Sequence, residues 1–145
     1  MNTWKSLGSG LAGAVALNLI NEGARHLISG APRMDKVGQN ALVKGLLRMD
    51  KMPPSGKNLY VTALAGDVLA NTLYYSLTGA GKGKNRWVQG AILGTAAGIS
   101  STILPDLLGI ESRMNRKPQT RVMTVAWYLV AGIAAAAVAS ALSRD

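Results

Sequence analysis

The sequence predicts an all-α, polytopic membrane protein: a four-transmembrane-helix bundle with a cytoplasmic amphipathic interfacial helix between helices 1 and 2. Three observations predict it. Charged residues make up 16% of the 145-residue chain, where about 25% is usual. Those charges crowd into short segments and leave apolar runs of bilayer length between them. Lysine and arginine also divide unequally between alternate connections, as they do in chains that cross a membrane repeatedly.

The first span, about residues 7–28, is uncharged through Asn21 and then carries Glu22, Arg25 and His26. Its polar end leaves room for a helix lying on the membrane surface. A cleaved leader fits less well, because glycines break the apolar stretch and no small-residue cleavage site follows a leucine-rich region. The interfacial helix covers about residues 36–51. On a helical wheel Leu42, Val43, Leu46, Leu47 and Met49 share one broad face, and Lys44, Arg48 and Lys51 share the other. Such a helix rests its apolar side in the acyl region and turns its cations to phosphates. Pro53-Pro54 ends it.

The second span, about 59–79, is interrupted only by Asp67. The third, about 87–105, runs between Arg86 and Asp106, with Pro105-Asp106 expected to end it. The fourth, about 123–142, holds 20 residues without a charge, enough to cross about 30 Å of hydrocarbon. Trp127 and Tyr128 near its start suit an interface. A soluble bundle is the alternative, but the last helix is apolar all round and so small a core could not cover it. Residues 1–145 are thus expected to form one membrane domain.

The connections 33–57 and 111–121 hold ten lysines and arginines, against five on the opposite side. Positive charge favours the cytoplasm, so both termini are expected outside, in a bacterial inner membrane. The net charge of +9 then orients the chain in lipid. It does not imply nucleic acid, because no base-stacking aromatics alternate with the cations. The absence of cysteine excludes a disulfide scaffold.

Polar residues inside the spans carry the candidate chemistry. Asn18, Asn21, Glu22, Arg25, His26 and Ser29 project within about 140° of one another on the first helix. Tyr60, Asp67, Asn71, Tyr74 and Thr78 form a similar stripe on the second. Glu22 and Asp67 are expected at one depth, about 12–14 Å from the cytoplasmic side, with Arg25 bridging both carboxylates. An isolated charge at that depth costs at least about 2.5–3.5 kcal/mol, so the stripes should face each other. The network of Asn18, Glu22, Arg25, His26, Asp67, Asn71 and Tyr74 would either lock two helices in register or exchange a proton or small cation.

Gly90, Gly94 and Gly98 form a ladder at four-residue spacing, with Gly132 and Ala136 as a weaker counterpart and Ser6, Gly10 and Ala14 on the first helix. Small residues at this spacing let helices approach closely in lipid, within the bundle or between copies. Lys44, Arg48, Lys51, Arg113, Arg116 and Lys117 are expected to contact anionic headgroups.

Catalysis has little to stand on. One histidine and no cysteine give no metal-ligand spacing, so no catalytic residue, metal or cofactor is expected. Gly79–Asn85 lacks the length and the terminal Ser/Thr of a phosphate loop, and reads as a turn. The tetrad Arg-Met-Asp-Lys occurs at 33–36 and 48–51 with no similarity beyond it. The leading expectation is a non-enzymatic bundle that self-associates or docks onto a larger membrane assembly. A proton- or ion-coupled oligomeric transporter or channel is the main alternative, and a lipid-headgroup-modifying enzyme a second one.

Overall fold

A computed structural model describes residues 1–110 and 117–144. Those residues contain helices and no strand. The long helices are α1 (Thr3–Leu27), α3 (Gly56–Tyr75), α4 (Asn85–Leu107) and α5 (Pro118–Leu142), with a shorter α2 (Met34–Arg48) between the first two. Each bound has a local cause. The Asn2 side chain accepts the Lys5 N–H and caps α1. Gly30 takes φ +78° in the turn after it. Asp50 enters the left-handed region at φ 56° just beyond α2, and Pro53-Pro54 bars any continuation. Pro118 occupies the first turn of α5, where a missing N–H costs nothing.

The helices differ by a few residues from the bounds the sequence predicts. The helix expected to lie at an interface occupies 34–48, not 36–51. The second span does not remain α-helical to 79: Ser76–Ala80 tightens into a 3₁₀ turn, held as Thr78 donates back to the Tyr75 carbonyl. Helix α4 passes through Pro105 and stops two residues later.

The four long helices run alternately up and down. Gly10 of α1 lies against the Thr72 carbonyl and Ser76, so the start of α1 meets the end of α3. Lys5 donates to the Leu142 carbonyl, and Arg86 to Ser143, at the same end. At the other end Thr120 donates to the Gly30 carbonyl at 2.6 Å, and Arg121 pairs with Asp106 at 3.1 Å. Both termini and the turn before α4 therefore share one end, while α2 lies at the opposite end. There Lys44 reaches the Leu108 carbonyl, so α2 bridges from α3 toward the end of α4.

Helix α5 is central, packed between α4 and α1; α3 lies along α1, and at its end Tyr75 donates to the Tyr128 carbonyl of α5. The glycine ladder forms the tightest seam. A Cβ built on Gly94 would lie 2.5 Å from the Tyr128 carbonyl oxygen, and one on Gly98 would lie 2.7 Å from Val125 Cα. Gly90 meets Gly132 and Ala136 in the same way. Gly13 brings α1 onto α5, its Cβ position 3.0 Å from both the Ala131 carbonyl and Ala135. Backbone-to-backbone approach of this kind is what small residues permit.

The interior is correspondingly made of small side chains. Ala14, Ala131, Ala135, Ala136 and Ala139 are fully buried, and Tyr75 and Leu17 are the largest side chains sealed inside. Large aliphatic residues face outward instead: Leu19 is 68% exposed, Leu69 61%, Ile92 62% and Val122 69%. Among the described residues two helices, α4 and α5, are long and apolar enough to cross a membrane, with mean hydropathies of 1.2 and 2.0 over their best windows.

Candidate functional site

The polar stripes of α1 and α3 do face each other, and α2 closes over them. They line a cavity of ≈ 40 Å³ with Asn18, Asn21, Glu22, Arg25, Asp35, Tyr60 and Asp67 in its wall, and Pro32, Met34 and Leu64 as apolar neighbours. That volume accommodates one or two waters.

The site has two tiers, because antiparallel pairing fixes which residues meet. In the outer tier Glu22 is gripped on both oxygens. Tyr60 donates to Oε1 at 2.7 Å, and Arg25 donates to Oε2 at 2.9 Å from both Nε and Nη2. Arg25 also lies 3.7 Å from Asp35, whose two oxygens receive a two-pronged clamp from Arg33 at 2.9 and 2.8 Å. The Asp35 side chain is only 10% exposed. Burial alone would push its carboxyl up, but the Arg33 hydrogen bonds and the charges of Arg33 and Arg25 prevail and hold it below the usual aspartate range.

In the inner tier Asp67 is held by amides alone. Asn18 Nδ2 donates to one carboxylate oxygen and Asn71 Nδ2 to the other, each at 3.0 Å. Both amides are themselves tied to backbone: Asn18 to the Ala14 carbonyl, and Asn71 to that of Asp67. Among the described residues no guanidinium or ammonium pairs with Asp67. The Asn21 Oδ1 atom, on the same cavity wall, is buried and accepts no hydrogen bond.

The expected bridge from Arg25 to both Glu22 and Asp67 is therefore replaced. Asn18, not Arg25, sits opposite Asp67. Seven residues separate them along α1, so Arg25 lies about 10 Å away along the axis and is neutralised by Glu22 and Asp35. Glu22 and Asp67 consequently do not share a depth. Glu22 stands five residues from the end of α1, and Asp67 eleven residues into α3. Tyr74 also leaves the network, donating to the Leu93 carbonyl of α4 at 2.8 Å. His26 is 65% exposed and 3.8 Å from Glu22, at the edge of the site.

The sequence reading missed Asp35 as a member. Its signal was the first Arg-Met-Asp-Lys tetrad, where an arginine two residues before the acid allows that clamp. Gly90, Gly94, Gly98, Gly132 and Ala136 come together as packing residues within one chain, so the ladder is covered by α5 and offers no open association face. Of the cations expected at headgroups, Lys44 is engaged with Leu108, while Arg48, Lys51 and Lys117 are exposed. Arg113 and Arg116 lie outside the described residues. Among the described residues no three His, Cys, Asp or Glu side chains are placed to hold a metal ion together.

No known family matches this chain, and neither a curated protein nor a solved structure resembles it.

Proposed function

We propose that the chain is a four-span integral membrane protein, both termini non-cytoplasmic, that serves as a small proton- or cation-coupled carrier or channel through the α1–α2–α3 pocket. The observation that carries the reading is Asp67. It sits near the middle of a 20-residue helix beside a small cavity, with two amide donors and, among the described residues, no cation paired to it. In hydrocarbon such a charge costs at least about 2.5–3.5 kcal/mol, and a structural role would be met more cheaply by a paired or apolar residue.

Treating α1 and α3 as spans rests on where their polar residues point. Those of the pocket turn inward, and the outward faces carry Leu11, Val15 and Leu19 on α1 and Val61, Leu69 and Leu73 on α3. Helices of 25 and 20 residues reach about 37 and 30 Å, enough for the hydrocarbon core. Exposed Arg48, Lys51 and Lys117 would meet anionic headgroups at the cytoplasmic end.

Purified protein reconstituted into liposomes should dissipate a proton or sodium gradient, and Asp67→Asn should abolish the flux while the protein still inserts. Absence of flux in the parent protein sinks the transport reading.

A second reading, docking or self-association, is favoured by α3. Only Tyr75 of that helix is buried, and Thr62, Gly66 and Ala70 form an exposed row of small residues at four-residue spacing. A close-packing partner helix would fit there. Gly66→Leu should then lower the particle mass in a gentle detergent, and an unchanged mass removes that face.

A further inference from the structure

We propose that the ligand of this pocket is one monovalent cation, a proton carried on Asp67 or a bare alkali ion held between Asp67 and Asn21. The inference rests on the pocket being the working site, and it narrows what the site accepts.

Charge sets the stoichiometry. Among the described residues the cavity is lined by three carboxylates, Glu22, Asp35 and Asp67, and by Arg25, with Arg33 bound to Asp35 behind it. The outer tier is balanced: Glu22 against Arg25, and Asp35 against Arg33. Asp67 remains, so a single positive charge brings the group to neutrality, the state least costly to keep away from water.

The donor set agrees. Each Asp67 oxygen accepts one amide N–H and retains a lone pair. Asn21 lines the same cavity, and its Oδ1 is buried with no hydrogen-bond partner among the described residues. An unmet buried acceptor costs about 1–3 kcal/mol, and a cation or the O–H of a protonated carboxyl is what satisfies it. In the proton case hydronium delivers its proton to an Asp67 oxygen and leaves as water; a water in the cavity then links that O–H to Asn21. In the alkali case Asp67 and Asn21 supply oxygens, and one or two waters complete the shell. A cavity of ≈ 40 Å³ suits a small ion with one or two waters. A divalent ion takes six or more oxygens and commonly several carboxylates, which this pocket does not free, because Glu22 and Asp35 are clamped.

Besides Asp67 the titratable and charged groups lining the pocket are Glu22 and Arg25 from α1, Asp35 from α2 and Tyr60 from α3, while Tyr75 of α3 and Tyr128 of α5 lie within electrostatic reach of Asp67. A pH response must therefore be assigned by substitution and not by its midpoint.

The experiment is thermal unfolding of the full chain in gentle detergent, followed by helical circular dichroism at constant ionic strength. Choline chloride is replaced stepwise by sodium chloride or by calcium chloride, at several pH values. For an alkali-ion site, sodium raises the melting temperature saturably over choline. For a proton site, sodium does nothing and acidification in choline raises it through one titration. Asp67→Asn removes whichever response is present. Asn21→Leu, which leaves the amide donors to Asp67 intact, weakens the sodium response about tenfold or displaces the titration by about one pH unit. It serves as the independent probe if Asp67→Asn does not fold.

No response dependent on Asp67 or Asn21, or a larger effect of calcium or choline than of sodium or protons, overturns the proposal. Saturable binding without liposome flux keeps the site and retires the transport reading. Flux that survives Asp67→Asn, with no binding, retires both.

Discussion

Asp35 lies under opposing pressures, burial against two guanidiniums, and the guanidiniums win. Its carboxyl is held lower in the folded chain than in the unfolded one. The stability it contributes is therefore present above the ordinary aspartate range, and is lost as pH falls through the lowered folded value. A spin label on Lys36→Cys should accordingly stay immobile at neutral pH and loosen in strong acid, as α2 parts from α1. In Asp35→Asn it should be mobile at all pH values; equal mobility in both proteins would count against the clamp. Tyr60→Phe should cost about 1 kcal/mol, through the lost hydrogen bond to Glu22, measured by unfolding in detergent. At this scale the sequence was partly informative. Asn18, Glu22, Arg25, Asp67 and Asn71 share faces by helical periodicity alone, so their convergence was legible. Who pairs with whom was not, because a two-turn difference in register exchanges Arg25 for Asn18 opposite Asp67. Asp35 was hidden for a related reason: its approach depends on the turn at Gly30 folding α2 back over the pocket.

At the level of helices, uncharged runs and four-residue glycine spacing located the long elements and the seam between α4 and α5. The ladder did not say which helix it meets, since the same spacing serves a neighbour in the chain or a second copy. Its closeness to α5 gives a sharp expectation. Gly94→Leu must displace the Tyr128 and Leu129 backbone, so it should destabilise the chain by at least about 1–3 kcal/mol with the oligomeric mass unchanged. A changed mass at undiminished stability would mean that the seam lies between chains. Helix α2 is held differently. Val37 is its only buried residue, and Leu47 and Met49 are exposed beside Arg48. Its position thus relies on the Arg25–Asp35 contact with α1, the Lys44 contact and whatever surface receives its apolar side.

For the whole molecule, the distribution of side-chain size is the governing fact. Alanine, glycine, serine and threonine fill the interior, and leucine, isoleucine and valine coat the outside. In water this arrangement would leave the largest apolar side chains unburied, whereas in lipid they are solvated and close backbone packing supplies the cohesion. The composition hinted at this through the scarcity of charge, but it could not separate an apolar exterior from an apolar core. The alternating helix directions put both termini and the 79–86 turn at one end, with α2 at the other. Because the chain has no cysteine, each introduced thiol is unique, and labelling sealed, right-side-out vesicles with a membrane-impermeant maleimide tests the arrangement directly. Lys82→Cys and Arg144→Cys should label from outside, and Lys51→Cys only after permeabilisation. Labelling of Lys51→Cys and Lys82→Cys from the same side would contradict the four-span account.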